Sequence, residues 1–143
     1  MRTFHDFVPG DMLRLGPILV ARADVLDFQK RFDCGAGLWT PGGRDRLLAP
    51  VASPLLVHAL VFGALVKELK EQGASPTALP QFDQVRFPAP VRAYDRLTVE
   101  VEVAALEVLD AASGLVRHRV SARNQDRRLV FEGELSFHVE ARP

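Results

Sequence analysis

The chain has 143 residues, 48% of them hydrophobic, with 18 Lys plus Arg against 18 Asp plus Glu. That length fits one domain, expected over 1–143, with enough apolar residues to bury a sizeable core. A formal net charge of zero gives no support to nucleic acid or a membrane surface as partner, both of which need a clustered basic excess, and it does little to discourage self-association.

The N-terminus, Met1-Arg2-Thr3-Phe4-His5-Asp6, lacks the charged-then-apolar pattern of a signal peptide. Phe7-Val8-Pro9-Gly10-Asp11 reads as a turn before an apolar run. Met12 to Val20 is expected as a first strand, interrupted at Gly16-Pro17. Asp24 is placed to cap a short helix running to about Phe32, with Val25, Phe28 and Phe32 on one face. Residues 33–50 read as loop, because Gly35, Gly37, Pro41, Gly42, Gly43 and Pro50 fall there. The lone Cys34 cannot form an internal disulfide, so a reducing cytoplasm is the expected setting.

Ser53-Pro54 opens the most distinctive element, a helix expected over about 53–72. Ser is a favoured N-cap and Pro is favoured at the first helical position. From Leu55 to Val66 the sequence is apolar nearly all round, broken only by His58. A helix apolar on every face is expected to be buried on every face. The run is too short to cross a bilayer, which takes roughly 20 residues. It turns polar at Lys67 and stops at Gly73.

Beyond this helix the period changes to two. Phe82 to Phe87 is a short strand candidate. Leu97, Val99, Val101 and Val103 alternate with Thr98, Glu100 and Glu102. Val116, Val120 and Ala122 alternate with Arg117, Arg119, Ser121 and Arg123. Leu129, Phe131, Leu135, Phe137 and Val139 alternate with Glu132, Glu134, Ser136 and His138. This is the pattern of antiparallel strands with one wet and one buried face. Ser113-Gly114 and Asp126-Arg127-Arg128 are expected as turns.

One long buried helix with four or five half-buried strands has few packing solutions. The sheet must curl around the helix, which is the α+β hot-dog arrangement. Part of the helix and a strand edge would stay open, and pairing two copies edge to edge into a homodimer would cover both. A monomeric α+β domain of another topology is the alternative.

Four stretches resemble the MaoC-like dehydratases, which include (R)-specific enoyl-CoA hydratases. Phe7-Val8-Pro9-Gly10-Asp11 is similar to the family's N-terminal turn, and Ala52-Ser53 to its helix start. Val85-Arg86-Phe87-x-x-Pro90-Val91-Arg92-x-x-Asp95-Arg96-Leu97 is similar to its strand opening. Val120-Ser121-Ala122-Arg123-Asn124-Gln125-Asp126 is similar to its strand end. The resemblance implies hydration or dehydration of an acyl thioester, carried on CoA or on a carrier protein, without a cofactor. It implies an Asp–His pair that activates water and an N–H at the start of the buried helix that receives the thioester oxygen.

Asp33 falls at the family's Asp position. Five positions on stand Leu38 and then Trp39, where the family has His, and neither moves a proton in this chemistry. The family's Gly after Ser53 is Pro54, which has no N–H. Asp33 therefore reads either as a catalytic carboxylate or as a helix-ending loop residue. His58 reads either as a buried structural histidine or as a substitute base facing the acyl tunnel. Asp33, Ser53 and His58 form the candidate catalytic set, and Trp39, Pro54, Arg86 and Asn124 the candidate substrate-binding set.

No two histidines have metal-ligand spacing, so no metal is expected. Cys34 lacks a nearby His in sequence and reads as an unreactive thiol. Gly35-x-Gly37 reads as a turn, not a dinucleotide loop. Arg117, Arg119 and Arg123 line one strand face, either towards CoA phosphates or towards water. Besides a hydratase, a non-catalytic acyl-thioester or acid-binding module, a partner subunit and a thioesterase on the same fold stay open.

Overall fold

In a computed structural model, residues 2–32, 49–74, 76 and 80–141 are described. A short 3-10 turn, Phe4–Asp6, is followed by β1 (Met12–Leu19), α1 (Arg22–Phe32), α2 (Pro54–Glu71), β2 (Gln81–Arg86), β3 (Arg96–Val108), β4 (Ser113–Arg123) and β5 (Leu129–Glu140). The strands form one sheet in the order β1-β3-β4-β5-β2, with every neighbouring pair antiparallel.

The period-two pattern explains the two faces. On β3, Leu97, Val99, Val101 and Val103 are buried, while Thr98, Glu100 and Glu102 point the other way. β4 and β5 add Val116, Val120, Leu135 and Phe137 to the inner face. Leu56, Val57, Val61, Leu65 and Leu69 of α2 pack into that surface and complete the core. The sheet curls around α2, which is the hot-dog arrangement. Its outer face carries cross-strand ion pairs such as Arg14–Glu100 at 3.1 Å and Arg119–Glu102 at 3.1 Å. These are solvent-exposed and contribute little stability each. No helix among the described residues is long and apolar enough to cross a membrane.

Three expectations need correction. α2 is not buried on every face. Leu55 is 57% exposed, and Ala59 and Gly63 are exposed beyond it at i+4 spacing, because the sheet covers only one side of the helix. Asp24 is not a cap. The helix begins two residues earlier, and Asp24 sits in its first turn, where a carboxylate complements the helix dipole. Ser113-Gly114 is not a turn but the start of β4. The reversal is made by Asp110, whose Oδ1 accepts from Ala112 N at 2.7 Å and Ser113 N at 2.8 Å. This is the local carboxylate capping that favours Asp in turns.

Gly16 interrupts β1 as a bulge between Leu15 and Ile18. Its φ is +101°, and an added Cβ would lie 2.6 Å from Leu97 O, so only glycine fits. Gly114 meets a different constraint, because the buried Phe4 ring occupies the space a Cβ would take. Gly114→Ala is expected to displace Phe4 and cost about 1–3 kcal/mol, read as a lowered denaturant midpoint. In a Phe4→Ala background the same change should cost nothing further, as the shared contact requires. An unchanged midpoint for Gly114→Ala alone would show that Phe4 does not hold this position.

Candidate functional site

The start of α2 is built by its cap and by the segment leading into it. Ser53 is buried, and its Oγ accepts from Leu55 N at 3.2 Å, the bond expected of an N-cap. Pro54 takes the first helical position. The preceding residues are pinned to 91–93: Ala52 N donates to Val91 O at 2.7 Å, and Ala93 N donates to Pro50 O at 2.9 Å. Arg92 reaches Ala49 O with Nη1 at 2.8 Å, and Gln29 of α1 donates to Val51 O at 2.7 Å.

Asp95 ties this corner to the rest of the sheet. Its Oδ2 accepts from Arg92 N at 2.9 Å, and its Oδ1 accepts from Gln125 Nε2 at 2.9 Å. Gln125 Oε1 in turn accepts from Arg96 N at 3.0 Å. Tyr94, at φ +74°, donates its N–H to Val20 O at 2.7 Å, and Val20 N donates to Asp95 O at 2.8 Å. The end of β1, the opening of β3 and the β4–β5 turn thus meet beside the start of α2.

Asn124 belongs to the same framework. Its Oδ1 accepts from Asp126 N and Arg128 N, both at 3.0 Å, which shapes the β4–β5 turn. Arg86 sits on β2 and pairs with Glu132 of β5 across the exposed sheet face. Both are therefore engaged with neighbours in the chain. Asp33, Cys34, Leu38 and Trp39 lie outside the described residues.

His58 lies on α2 among aromatic rings. Phe82 meets it edge-on with centroids 4.5 Å apart, and Phe131 lies at 5.5 Å. Its Nε2 is buried with no hydrogen-bond partner among the described residues. Burial lowers its pKa from the ordinary imidazole value, which keeps the ring neutral. A neutral imidazole with a free ring nitrogen is chemically competent to accept a proton.

His118, which the alternation assigned only to a strand, is a fully buried imidazole. It is 2% exposed on the inner face of β4, with Phe7 and Phe137 against it at 6.1 Å and 5.7 Å. Burial pushes its pKa down to about 4, opposed by the contact of Nδ1 with Leu135 O and assisted by the positive charge of Arg2. Its neighbours Val116 and Val120 share its inward phase, which was the available signal. Among the described residues no three His, Cys, Asp or Glu side chains gather as a metal site.

No sequence-family model matches the chain, and no curated protein matches it. Solved structures do. The MaoC-like dehydratase from Rhodospirillum rubrum is similar with a TM-score of 0.79 at 21% identity, over 100% of this chain and 99% of that one. The (R)-hydratase from A. caviae involved in PHA biosynthesis is similar with a TM-score of 0.66 at 22% identity, over 92% and 96% of the two chains. A Mycobacterium tuberculosis protein described as having a double hotdog fold is similar with a TM-score of 0.74 at 20% identity, over 99% of this chain and 45% of that one. The likeness is one of fold.

The buried His118 gives a pH dependence of known sign. Its folded pKa of about 4 lies below the unfolded value of about 6.5, so the unfolded chain takes up the proton first. Stability is expected to fall as pH drops from about 6.5 towards 4 and then level off, by up to about 3 kcal/mol from this group. Chemical denaturation across that window checks it, with His118→Phe expected to flatten the slope. An equally steep slope in the variant would move the effect to other groups.

Proposed function

We propose that this chain is a MaoC-like protein, similar to the (R)-specific enoyl-CoA hydratases, that binds acyl thioesters at the start of α2. It does so without hydrating them at an ordinary enzyme's rate. The thioester is borne on CoA or on a carrier protein, and the protein acts as a cytoplasmic homodimer built on one hot-dog domain over 1–143. In this reading Asp33 and Ser53 are catalytic candidates and Pro54 and Trp39 substrate-binding candidates.

The observation that carries it is the chemistry of the helix start. Pro54 has no N–H, and the Leu55 N–H is directed at Ser53 Oγ at 3.2 Å. Neither of the first two helical positions has a free donor for a developing oxyanion. Losing one such donor costs on the order of 100-fold in rate or more. Leu38 and Trp39 stand where the resembled family has its His, and a missing general base costs on the order of 100-fold or more again. The scaffold supports binding, and the replaced groups oppose turnover.

Homodimerisation is supported by the open side of α2. Leu55, Ala59 and Gly63 are exposed there, and Phe82 on the edge strand β2 is 43% exposed beside Phe62. A second copy against this face would cover the apolar stripe and the strand edge together. The double hotdog neighbour carries two such folds in one chain. Ala59→Glu is expected to convert a dimer into a monomer in sedimentation. A dimer that survives the change would place the interface elsewhere.

One observation favours a second reading. His58 keeps a neutral ring and an Nε2 without a hydrogen-bond partner among the described residues, so it is suited to replace the missing base. Titration with crotonyl-CoA and longer enoyl-CoAs separates the readings. Saturable binding by calorimetry with hydration at least about 100-fold below an intact (R)-hydratase is expected. Rates on a par with that enzyme, lost in His58→Gln, would establish the rebuilt base instead. Release of free thiol would identify a thioesterase, and absence of binding to any acyl-CoA would overturn the ligand class.

A further inference from the structure

A cavity of about 170 Å³ lies at the opposite end of α2 from the site above. Leu65 and Leu69 of α2 wall one side, and Val101 and Val103 of β3 wall the other. All four are buried, as is His118 on the same wall. Arg2, Asp11 and Gln72 are more exposed and form the rim.

The polar groups here are held in place. The Arg2 guanidinium stacks on the Phe7 ring, 3.9 Å from its centroid, and its Nη1 donates to Gln72 Oε1. Gln72 is itself anchored by donating to Glu68 Oε1 at 2.9 Å. A guanidinium has five N–H donors, so Arg2 keeps donors free for a planar anion. Phe7 also meets His118, with centroids 6.1 Å apart, so one ring spaces the cation from the imidazole. His118 Nδ1 lies 3.3 Å from Leu135 O, a carbonyl, and must carry the proton to bond it. Nε2 is then a bare acceptor, with no partner among the described residues.

We infer that this cavity binds a short aliphatic hydroxy acid, its carboxylate on Arg2, its hydroxyl donating to His118 Nε2, and its carbons among Leu65, Leu69, Val101 and Val103. The volume suits a chain of about four to six carbons. Both polar ends of such a ligand find a preformed partner, whereas a plain fatty acid leaves the imidazole acceptor unsatisfied and a diol leaves the guanidinium unused. The site does not depend on the thioester reading and would stand if that reading failed.

The test is titration of the full chain with 3-hydroxybutyrate, followed by the ring proton resonances of His118. Butyrate and 1,3-butanediol serve as the one-headed controls. The hydroxy acid is expected to bind about tenfold tighter than either control and to shift the His118 ring. Arg2→Leu and His118→Phe should each weaken it by about tenfold. Arg2 lies at the rim, so its variant keeps the test valid should the core change at His118 impair folding. Equal binding of all three compounds, binding unaltered by Arg2→Leu, or no His118 shift up to the solubility of the acid would each overturn the proposal.

Discussion

The burial of α2 is the constraint from which the rest of the structure follows. The helix Pro54–Glu71 is apolar nearly all round as far as Val66 and cannot leave that stretch in water, and one flat sheet would cover too little of it. Five antiparallel strands curl around it and supply a continuous inner face from Val99 to Phe137. Burying each large aliphatic side chain contributes about 1.5–3 kcal/mol, so Leu56, Val57, Val61, Leu65 and Leu69 of α2 form one stabilising side of a core that the inner faces of the strands complete. Half-buried His58 and buried His118 are held neutral by the same desolvation that the helix and sheet create. Chemistry and packing therefore have one origin here.

The side of α2 that the sheet leaves open has its own logic. Its stripe runs from Leu55 through Ala59 to Gly63 and changes to Lys67 and Lys70 near the C-terminal end. Small residues in the middle of the stripe let a second backbone approach closely. The lysines beyond keep the far end of the helix in water. The edge strand β2 lies on the same side, and Phe82 joins the ring contacts of Phe62 and His58. A partner laid against this side would seal His58 further from solvent and depress its pKa more.

Much of the fold was legible in the sequence, for identifiable reasons. The Ser53-Pro54 start and the Gly73 stop fixed both ends of α2 to within a residue, because caps are local chemistry. Alternation located β3, β4 and β5, because one face of each is wet. What was not legible depended on tertiary contacts. β3 runs on to Val108 through a bulge after Val103, where its alternation is lost. Gly114 looked like a turn residue because nothing nearby in sequence announces Phe4, which is far away in the chain. His118 passed as an ordinary strand position although Val116 and Val120 share its inward phase, because nothing local announces the Phe7 and Phe137 rings that enclose it. Of the candidate residues, sequence located Ser53 as the cap of α2, Pro54 as its first position and His58 within it, which is a matter of local helix chemistry. Arg86 and Asn124 were singled out by motif, and their partners, Glu132 and the turn amides of Asp126 and Arg128, lie in another strand and a turn.

The Asp95–Gln125 pair bears on what sequence likeness can mean for this chain. Pro90-Val91-Arg92, Asp95-Arg96-Leu97 and Asn124-Gln125 carry much of the resemblance, and they interlock at one corner that joins the helix start to three strands. Such letters answer to architecture. They hold a doorway square whatever passes through it, so reactive groups could be exchanged freely while the recognisable residues stayed in place.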